Sequence, residues 1–307
     1  MPLTLDNIID DTCQKASIDR QNQQNITNLI RWVNIVQSDI CNRYAWPWLT
    51  SRTQVTSVID KTAGTVDATL GSTTVSGTTT SFASTDVGRF IQFSSSNDWY
   101  RISAQSSGTS LTLETAYAPA TETGMTYTIR TFSYNLPNDV RQVFDVRQFR
   151  TPMKLVPLDT RYLDLLRPNQ TATGNPRGYF LYVYNNPQSA TGQNYAISFE
   201  PIPSVAMVIE IRYLIRPPSL SAGTDISVIP SNYQHLLIDG TLVHAYQWQG
   251  NPSTGGQKQV YEAGINQMKN EMPQSADIQH ILQPIDQLSS NLNPVPFPAE
   301  YGFPYSA

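Results

Sequence analysis

Chemistry at neutral pH draws first on histidine, cysteine and paired carboxylates, and the chain is sparing with the first two. Its three histidines are His235, His244 and His280. His235 and His244 are spaced so that on one helix they point in different directions. None falls in an HExxH spacing, and Cys13 and Cys41 stand far apart, so the sequence offers no zinc ligand set. The two thiols cannot build a disulfide framework and read as small core residues of a chain made in a reducing cytosol. Acids are better represented. Asp86, Asp98, Glu114, Glu122, Asp139 and Asp145 are the candidates for glycan hydrolysis, which needs two carboxyl groups facing each other across a cleft. Sequence places no two of them so, and Asp98, in Asn97-Asp98-Trp99-Tyr100, reads as a hairpin-turn residue. No phosphate loop, dinucleotide fingerprint or nucleophile elbow is present. No catalytic, cofactor-binding or metal-binding residue is assigned. The expectation is a protein that is not an enzyme and carries no cofactor.

The aromatic residues say more. Tyr44, Trp46, Pro47 and Trp48 follow an amphipathic helical stretch and are expected to seal a junction between a helical bundle and a β-domain. Trp99 and Tyr100 lie in a strand or turn, where they either fill a core or stack on sugar. Beyond residue 276 the pattern changes again. Ile278, Ile281, Leu282, Ile285 and Leu288 recur at helical steps, interrupted by Pro284. Then come Asn293-Pro294-Val295-Pro296-Phe297-Pro298 and the aromatics Tyr301, Phe303 and Tyr305. No local core is available for such a proline-stiffened arm. Ile281, Ile285, Leu288, Val295, Phe297, Tyr301, Phe303 and Tyr305 are therefore expected to bind another chain.

The elements that would position these residues follow from periodicity. Thr4 caps a short helix over 4–15, with Leu5, Ile8, Ile9 and Cys13 on one side. A longer helix is expected over 19–44, with Asp19 as cap and a stripe of Ile26, Leu29, Ile30, Val33, Val36, Ile40 and Tyr44. Pro47 ends it. After Leu49 the composition shifts. Between Thr50 and Arg130 about two residues in five are Ser or Thr, and short alternating runs are separated by Gly71, Gly77, Gly88, Gly108 and Gly124. This is the pattern of an antiparallel sandwich or small barrel. A second β-region spans 131–220, with strands at Val140–Phe149, Tyr179–Tyr184, Tyr195–Glu200 and Val205–Ile215 and a short helix at Leu158–Leu166. Helical spacing returns from Pro230 to 248 and from 257 to 271, with Gly250-Asn251-Pro252 and Gly255-Gly256 in the connection. The fold class expected is α+β. N- and C-terminal helices (1–49 and 221–275) form a bundle, the β-domain (50–130) and second β-region (131–220) are inserted, and an extended arm (276–307) follows.

Composition bounds the partners. Of 307 residues only 14% are charged and 39% are apolar, and the balance is made up by 31 threonines and 28 serines. Net charge is −4, and no two Lys or Arg residues are adjacent. A protein that grips nucleic acid through phosphates needs clustered cations, so tight DNA binding is not expected. A mildly acidic wall can still surround DNA without holding it. No window approaches the length of a membrane span, and Met1–Thr12 lacks the cationic, then apolar, start of an export signal.

Three stretches together carry a likeness. The first is Asn28-Leu29-Ile30-Arg31-Trp32-Val33-Asn34 leading to Ile40-Cys41-Asn42-Arg43-Tyr44-Ala45-Trp46-Pro47-Trp48-Leu49. The second runs from Gly71 to Val87-Gly88-Arg89-Phe90-Ile91-Gln92-Phe93 and on to Asn97-Asp98-Trp99-Tyr100-Arg101-Ile102. The third is Ile229-Pro230-Ser231, His235 through Gly240, Tyr246, and Tyr261 through Met268. Over about 26–272 this combination resembles the head-to-tail adaptor proteins of tailed bacteriophages, the group that includes the tail tubular protein A type. The resemblance implies a non-enzymatic virion part in the neck or tail, made in the host cytoplasm. It implies a homo-oligomeric ring, usually a dodecamer, beneath the portal. In that arrangement the helical bundle forms the wall, the β-region meets the tail nozzle or fibres, and the C-terminal arm reaches the portal. Double-stranded DNA passes through the lumen during ejection without sequence-specific binding, and no membrane is involved. Two alternatives stand beside it: a virion carbohydrate-binding module using the 50–130 domain, and a glycan hydrolase.

Overall fold

The computed structural model describes residues 2–151, 153–159, 172–185 and 193–272, the side chains of 184, 185 and 193 excepted. Contacts divide the chain into two units, Met1–Ser51 with Leu214–Ala307, and Arg52–Tyr213.

Among the described residues the first unit holds four α-helices. Helix α1 (Leu5–Ala16) starts at Thr4, whose hydroxyl accepts from Asn7 N–H while Asn7 Oδ1 accepts from Thr4 N–H, a reciprocal cap. Helix α2 (Gln23–Arg43) starts later than the sequence predicts, at Asn22. The Asp19 carboxylate instead accepts from Gln21 N–H at 2.9 Å and closes a turn ahead of the helix. Helix α3 (His235–Gln249) ends at Gly250 in the left-handed region (φ 66°). Helix α4 (Thr254–Glu271) begins three residues before the predicted start and absorbs Gly255 and Gly256 into its first turn. Glycine is disfavoured mainly in helix interiors, so a first turn tolerates it.

Helix α3 touches α1, α2 and α4. Its buried residues Leu236, Leu237, Ile238, Gly240, Thr241, Leu242 and Ala245 face several directions, the mark of a central helix. Gly240 permits the closest approach. A Cβ there would overlap Val36 Cγ1 of α2 and lie 2.9 Å from Tyr261 Cε2 of α4. Gly264 plays the same part for Leu236.

Strand β1 (Thr50–Thr56) carries the chain from the first unit into the second. Seven strands then make one sheet: β2 (Thr65–Ala68), β3 (Thr74–Thr78), β4 (Phe90–Phe93), β5 (Trp99–Ser107), β6 (Ser110–Leu113), β7 (Glu122–Met125) and β8 (Tyr127–Arg130). Their order is β7-β2-β3-β6-β5-β4-β8 and every pairing is antiparallel. Strands β7 and β8 stand at opposite ends of this order, yet Thr126 alone separates them. The sheet must therefore curl until its edges come near, which makes it a half-barrel. Inside lie Val66, Val75, Ile91, Phe93, Ile102, Leu111, Leu113, Tyr117 and Ile129, all buried. The alternation read from the sequence is the alternation of this interior.

The remaining strands are β9 (Tyr134–Asn135), β10 (Val140–Gln148), β11 (Val156–Pro157), β12 (Thr173–Gly174), β13 (Gly178–Asn185), β14 (Gln193–Glu200), β15 (Ile202–Pro203) and β16 (Val208–Ile215). They form sheets β1-β16-β10, β11-β13-β14-β9 and β12-β15. Two pairs, β11 with β13 and β12 with β15, are parallel. Twenty residues of sequence separate β11 from β13, enough for the crossover that a parallel pair needs. The chain is thus mixed α+β. The helix predicted at Leu158–Leu166 falls largely outside the described residues, and the arm 276–307 lies wholly outside them.

Candidate functional site

In the helical unit the polar groups lock helices together. Arg43 of α2 donates from Nη2 to Glu262 Oε1 of α4 at 2.9 Å and from Nε to Asp39 Oδ2 at 3.0 Å. Tyr261 donates to Asp39 Oδ2 at 2.8 Å, and the Arg43 guanidinium lies over its ring. The hydrogen bond to Glu262 raises the Arg43 pKa, and the same bond holds the Glu262 carboxyl below its usual range. Burial, and then the hydrogen bond to Asp39, push the Tyr261 phenol up. His244 is half-buried; burial pulls its imidazole down against the opposing pull of Asp39. His235 is exposed, with Nδ1 3.1 Å from Asn232 O. His280 lies outside the described residues. Among the described residues no cluster of His, Cys, Asp and Glu could hold a metal ion. Cys13 and Cys41 are both buried, and neither is in a disulfide.

Tyr44, Trp46, Pro47 and Trp48 build an aromatic stack after α2. Trp46 is buried, donates from Nε1 to Ile40 O at 2.7 Å, meets Tyr44 edge-on and stacks on Trp48. Pro47 opens a short 3-10 turn, Pro47–Leu49. Lys269 Nζ of α4 sits 4.5 Å above the Tyr44 ring. Ile281, Ile285, Leu288, Val295, Phe297, Tyr301, Phe303 and Tyr305 all lie outside the described residues.

In the β-unit the six candidate acids are each engaged locally or set on an exposed strand. Asp86 is buried between Lys61 Nζ (2.6 Å) and Arg89 Nη1 (2.8 Å) and accepts from Ala83 N–H. Burial alone would raise its carboxyl, but the bonds from Lys61, Ala83 and Arg89 outweigh burial and hold it low. Asp98 accepts from Ser96 in a turn, as expected. Glu114 meets Arg101 on the surface, and Glu122 is exposed on β7. Asp139 accepts from Tyr213. Asp145 is buried and contacts Arg147, Lys154 and Arg212. An open groove of about 390 Å³ is lined by Thr62, Gln92, Phe93, Ser94, Thr126, Tyr127 and Thr128, which include neither acid nor histidine.

Tyr100 is buried in the half-barrel, against Phe93 and Tyr117. Trp99 points to the other side and is half-buried. Its ring meets Phe132 edge-on at 87°, and the Arg130 guanidinium covers it at 5.3 Å. Arg130 is itself fixed to Asp60. These perpendicular rings do not make the coplanar platform on which a sugar would stack.

Three features escaped the sequence reading. Asn34 and Gln37 of α2 pin the segment after β16: Asn34 exchanges two 2.8 Å bonds with the Leu220 backbone, and buried Gln37 donates to Pro218 O and accepts from Ser227. Their only signal was two amides beside an apolar stripe. Of the cations around Asp145, Arg147 shares β10 with it, but Lys154 lies beyond that strand and Arg212 on β16, so no linear run announced them. Strand β1 pairs with β16 on one side, and among the described residues nothing pairs with its other edge. Its side chains are alternately exposed and half-buried, with none buried.

A family model described as SU10 adaptor protein matches residues 97–285, more than half of the chain. No curated protein matches it. Among the described residues no helix is long and apolar enough to cross a membrane.

Proposed function

The chain belongs to the SU10 adaptor protein family, and from that premise we propose that it is the structural head-to-tail adaptor of a tailed bacteriophage. A phage adaptor is a part of the virion and works by contact with other phage structural proteins. In this reading its copies close into a ring between portal and tail nozzle. The observation that carries it is the span of the family match, which runs from β5 through α3 and α4 and on to residue 285.

The helices of Met1–Ser51 and Leu214–Ala307 form the bundle of the ring wall, and the stack at Tyr44, Trp46, Pro47 and Trp48 seals it toward the inserted β-region. The β-region meets the nozzle or fibre proteins. The residues from Ile281 to Tyr305 hold the portal or an adjacent copy. A ring built from one repeated contact needs a heterologous interface that closes, and about twelve copies is the number the family likeness implies. A net charge of −4 lets DNA pass the lumen without sticking. No step of this work calls for catalysis or a cofactor.

Negative-stain images and native mass spectrometry, with and without portal, test the reading. Closed rings that join portal are expected. Monomers that never assemble and never bind portal would overturn it.

A further inference from the structure

We propose that the open edge of β1 receives residues 293–299 of a neighbouring copy as an added strand. This deepens the ring reading above and rests on it.

The edge comes first. Strand β1 is seven residues long and only its β16 side is paired among the described residues. Its sequence, Thr50-Ser51-Arg52-Thr53-Gln54-Val55-Thr56, is rich in strand formers and carries one charge. It has no proline and no lysine, the devices that usually blunt an edge. Val58 and Ile59, just beyond it, are 44% and 51% exposed. Such an edge in an isolated chain is a template for strand addition.

The occupant is chosen by its chemistry. In Asn293-Pro294-Val295-Pro296-Phe297-Pro298-Ala299, proline stands at every second position. Proline fixes an extended φ and lacks an N–H. Along a strand, successive residues offer their backbone groups to opposite sides. All three missing donors therefore fall on one edge. Val295, Phe297 and Ala299 keep both N–H and C=O on the other. Laid along β1, the segment would offer a single usable edge. It can complete β1 and then cannot be extended by a further strand, which favours a closed ring over a growing fibre. It is as long as β1, and Val295 and Phe297 share the face that would cover exposed apolar side chains. The residues 273–292 that precede it span up to about 65 Å when extended, enough to leave their own copy.

The test uses full-length protein and hydrogen exchange read by mass spectrometry. In assembled rings the alternate amides of 50–56 that face away from β16 should be protected. Val295→Pro removes a donor from the usable edge and should speed their exchange by about tenfold or more. Pro296→Ala alters the other edge and should leave protection intact. Rings whose β1 exchanges equally fast in the parent and in Val295→Pro would overturn this proposal and leave the ring reading standing. Protection of those outward-facing amides already present in dilute monomers would also overturn it, because the occupant would then come from the same copy. Native mass spectra without rings would overturn the ring reading itself, and this proposal with it.

Discussion

Replacing Gly240 by alanine measures how tightly the central helix is held. The new methyl would overlap Val36 Cγ1 and lie 2.9 Å from Tyr261 Cε2 and 3.0 Å from Val36 Cγ2. Neither neighbour can yield easily. Val36 is buried and β-branched, so its χ1 is fixed on a helix. Tyr261 is buried and tied through its hydroxyl to Asp39. Forcing a methyl into a packed site costs about 1–3 kcal/mol. Exchanging glycine for alanine inside a helix returns up to about 1 kcal/mol. The overlap with the fixed Val36 puts the packing cost in the upper part of its range, about 2–3 kcal/mol, and the net expectation is a loss of about 1–2 kcal/mol. Urea unfolding followed by tryptophan emission reads it. Trp32, Trp46, Trp48 and Trp248 belong to the helical unit, and a Trp99→Phe background silences the β-unit. With a slope of about 2 kcal/mol per M, the midpoint should fall by roughly 0.5–1 M. Gly255→Ala and Gly256→Ala, where a Cβ meets nothing, should be neutral or stabilising by up to about 1 kcal/mol. Adding Val36→Ala to Gly240→Ala should cost less than the two separate losses combined, by about 1 kcal/mol. A Gly240→Ala protein as stable as its parent, or strict additivity with Val36→Ala, would refute the close packing of α2 on α3.

Three further perturbations have definite signs. Gln37→Leu leaves Pro218 O and the Ser227 hydroxyl without their partner and should cost about 1–3 kcal/mol in the same urea assay. Asp86 is held low by its cations, so its contribution is present above the unfolded carboxyl value near 4 and is lost as pH falls through the folded one. Acid unfolding of the β-unit, followed by Trp99 emission in a variant whose other four tryptophans are phenylalanine, should lose that step in Asp86→Asn. The His244 imidazole is held low by burial, so protonation favours the unfolded chain and stability falls as pH drops below about 6.5. The urea midpoint of the helical unit should be lower near pH 5.5 than near pH 7.5, and His244→Gln should remove the part of that difference due to this ring.

The helices were legible because their apolar stripes repeat. Leu29, Val33, Val36 and Ile40 are buried along α2, as their spacing demands, and Thr4 caps α1. Boundaries were less legible, because Asp19 and Asn22 are equally good caps in isolation and only the turn that Asp19 closes decides between them. The half-barrel was legible as alternation, but its curl was not. Curling follows from which strands pair, and β7 and β8 reveal it only when their separate partners are known. The locking groups were least visible. Asp39, Arg43, Tyr261 and Glu262 are more than two hundred residues apart in two pairs, and local spacing says nothing about contacts of that range. The burial of Trp46 follows from its setting after α2, whereas the side taken by Trp99 was not legible, because a strand residue faces either side with equal ease.

The course of the chain explains why helices so distant in sequence can form one unit. The chain enters the β-unit along β1 and leaves it along β16, and these two strands are hydrogen-bonded neighbours. An insertion whose two ends lie side by side returns the chain to where it left, so α2 and α3 remain adjacent although about 190 residues separate them. This arrangement also limits what β1 can do. Its inner edge is committed to β16 by the insertion itself, and loss of that pairing would part the two ends. Any partner must therefore come to the outer edge. A partner with two working edges would leave a new template exposed after it docked. A segment with prolines at alternate positions leaves none, and this is the physical property that suits residues 293–299 to the outer edge of β1.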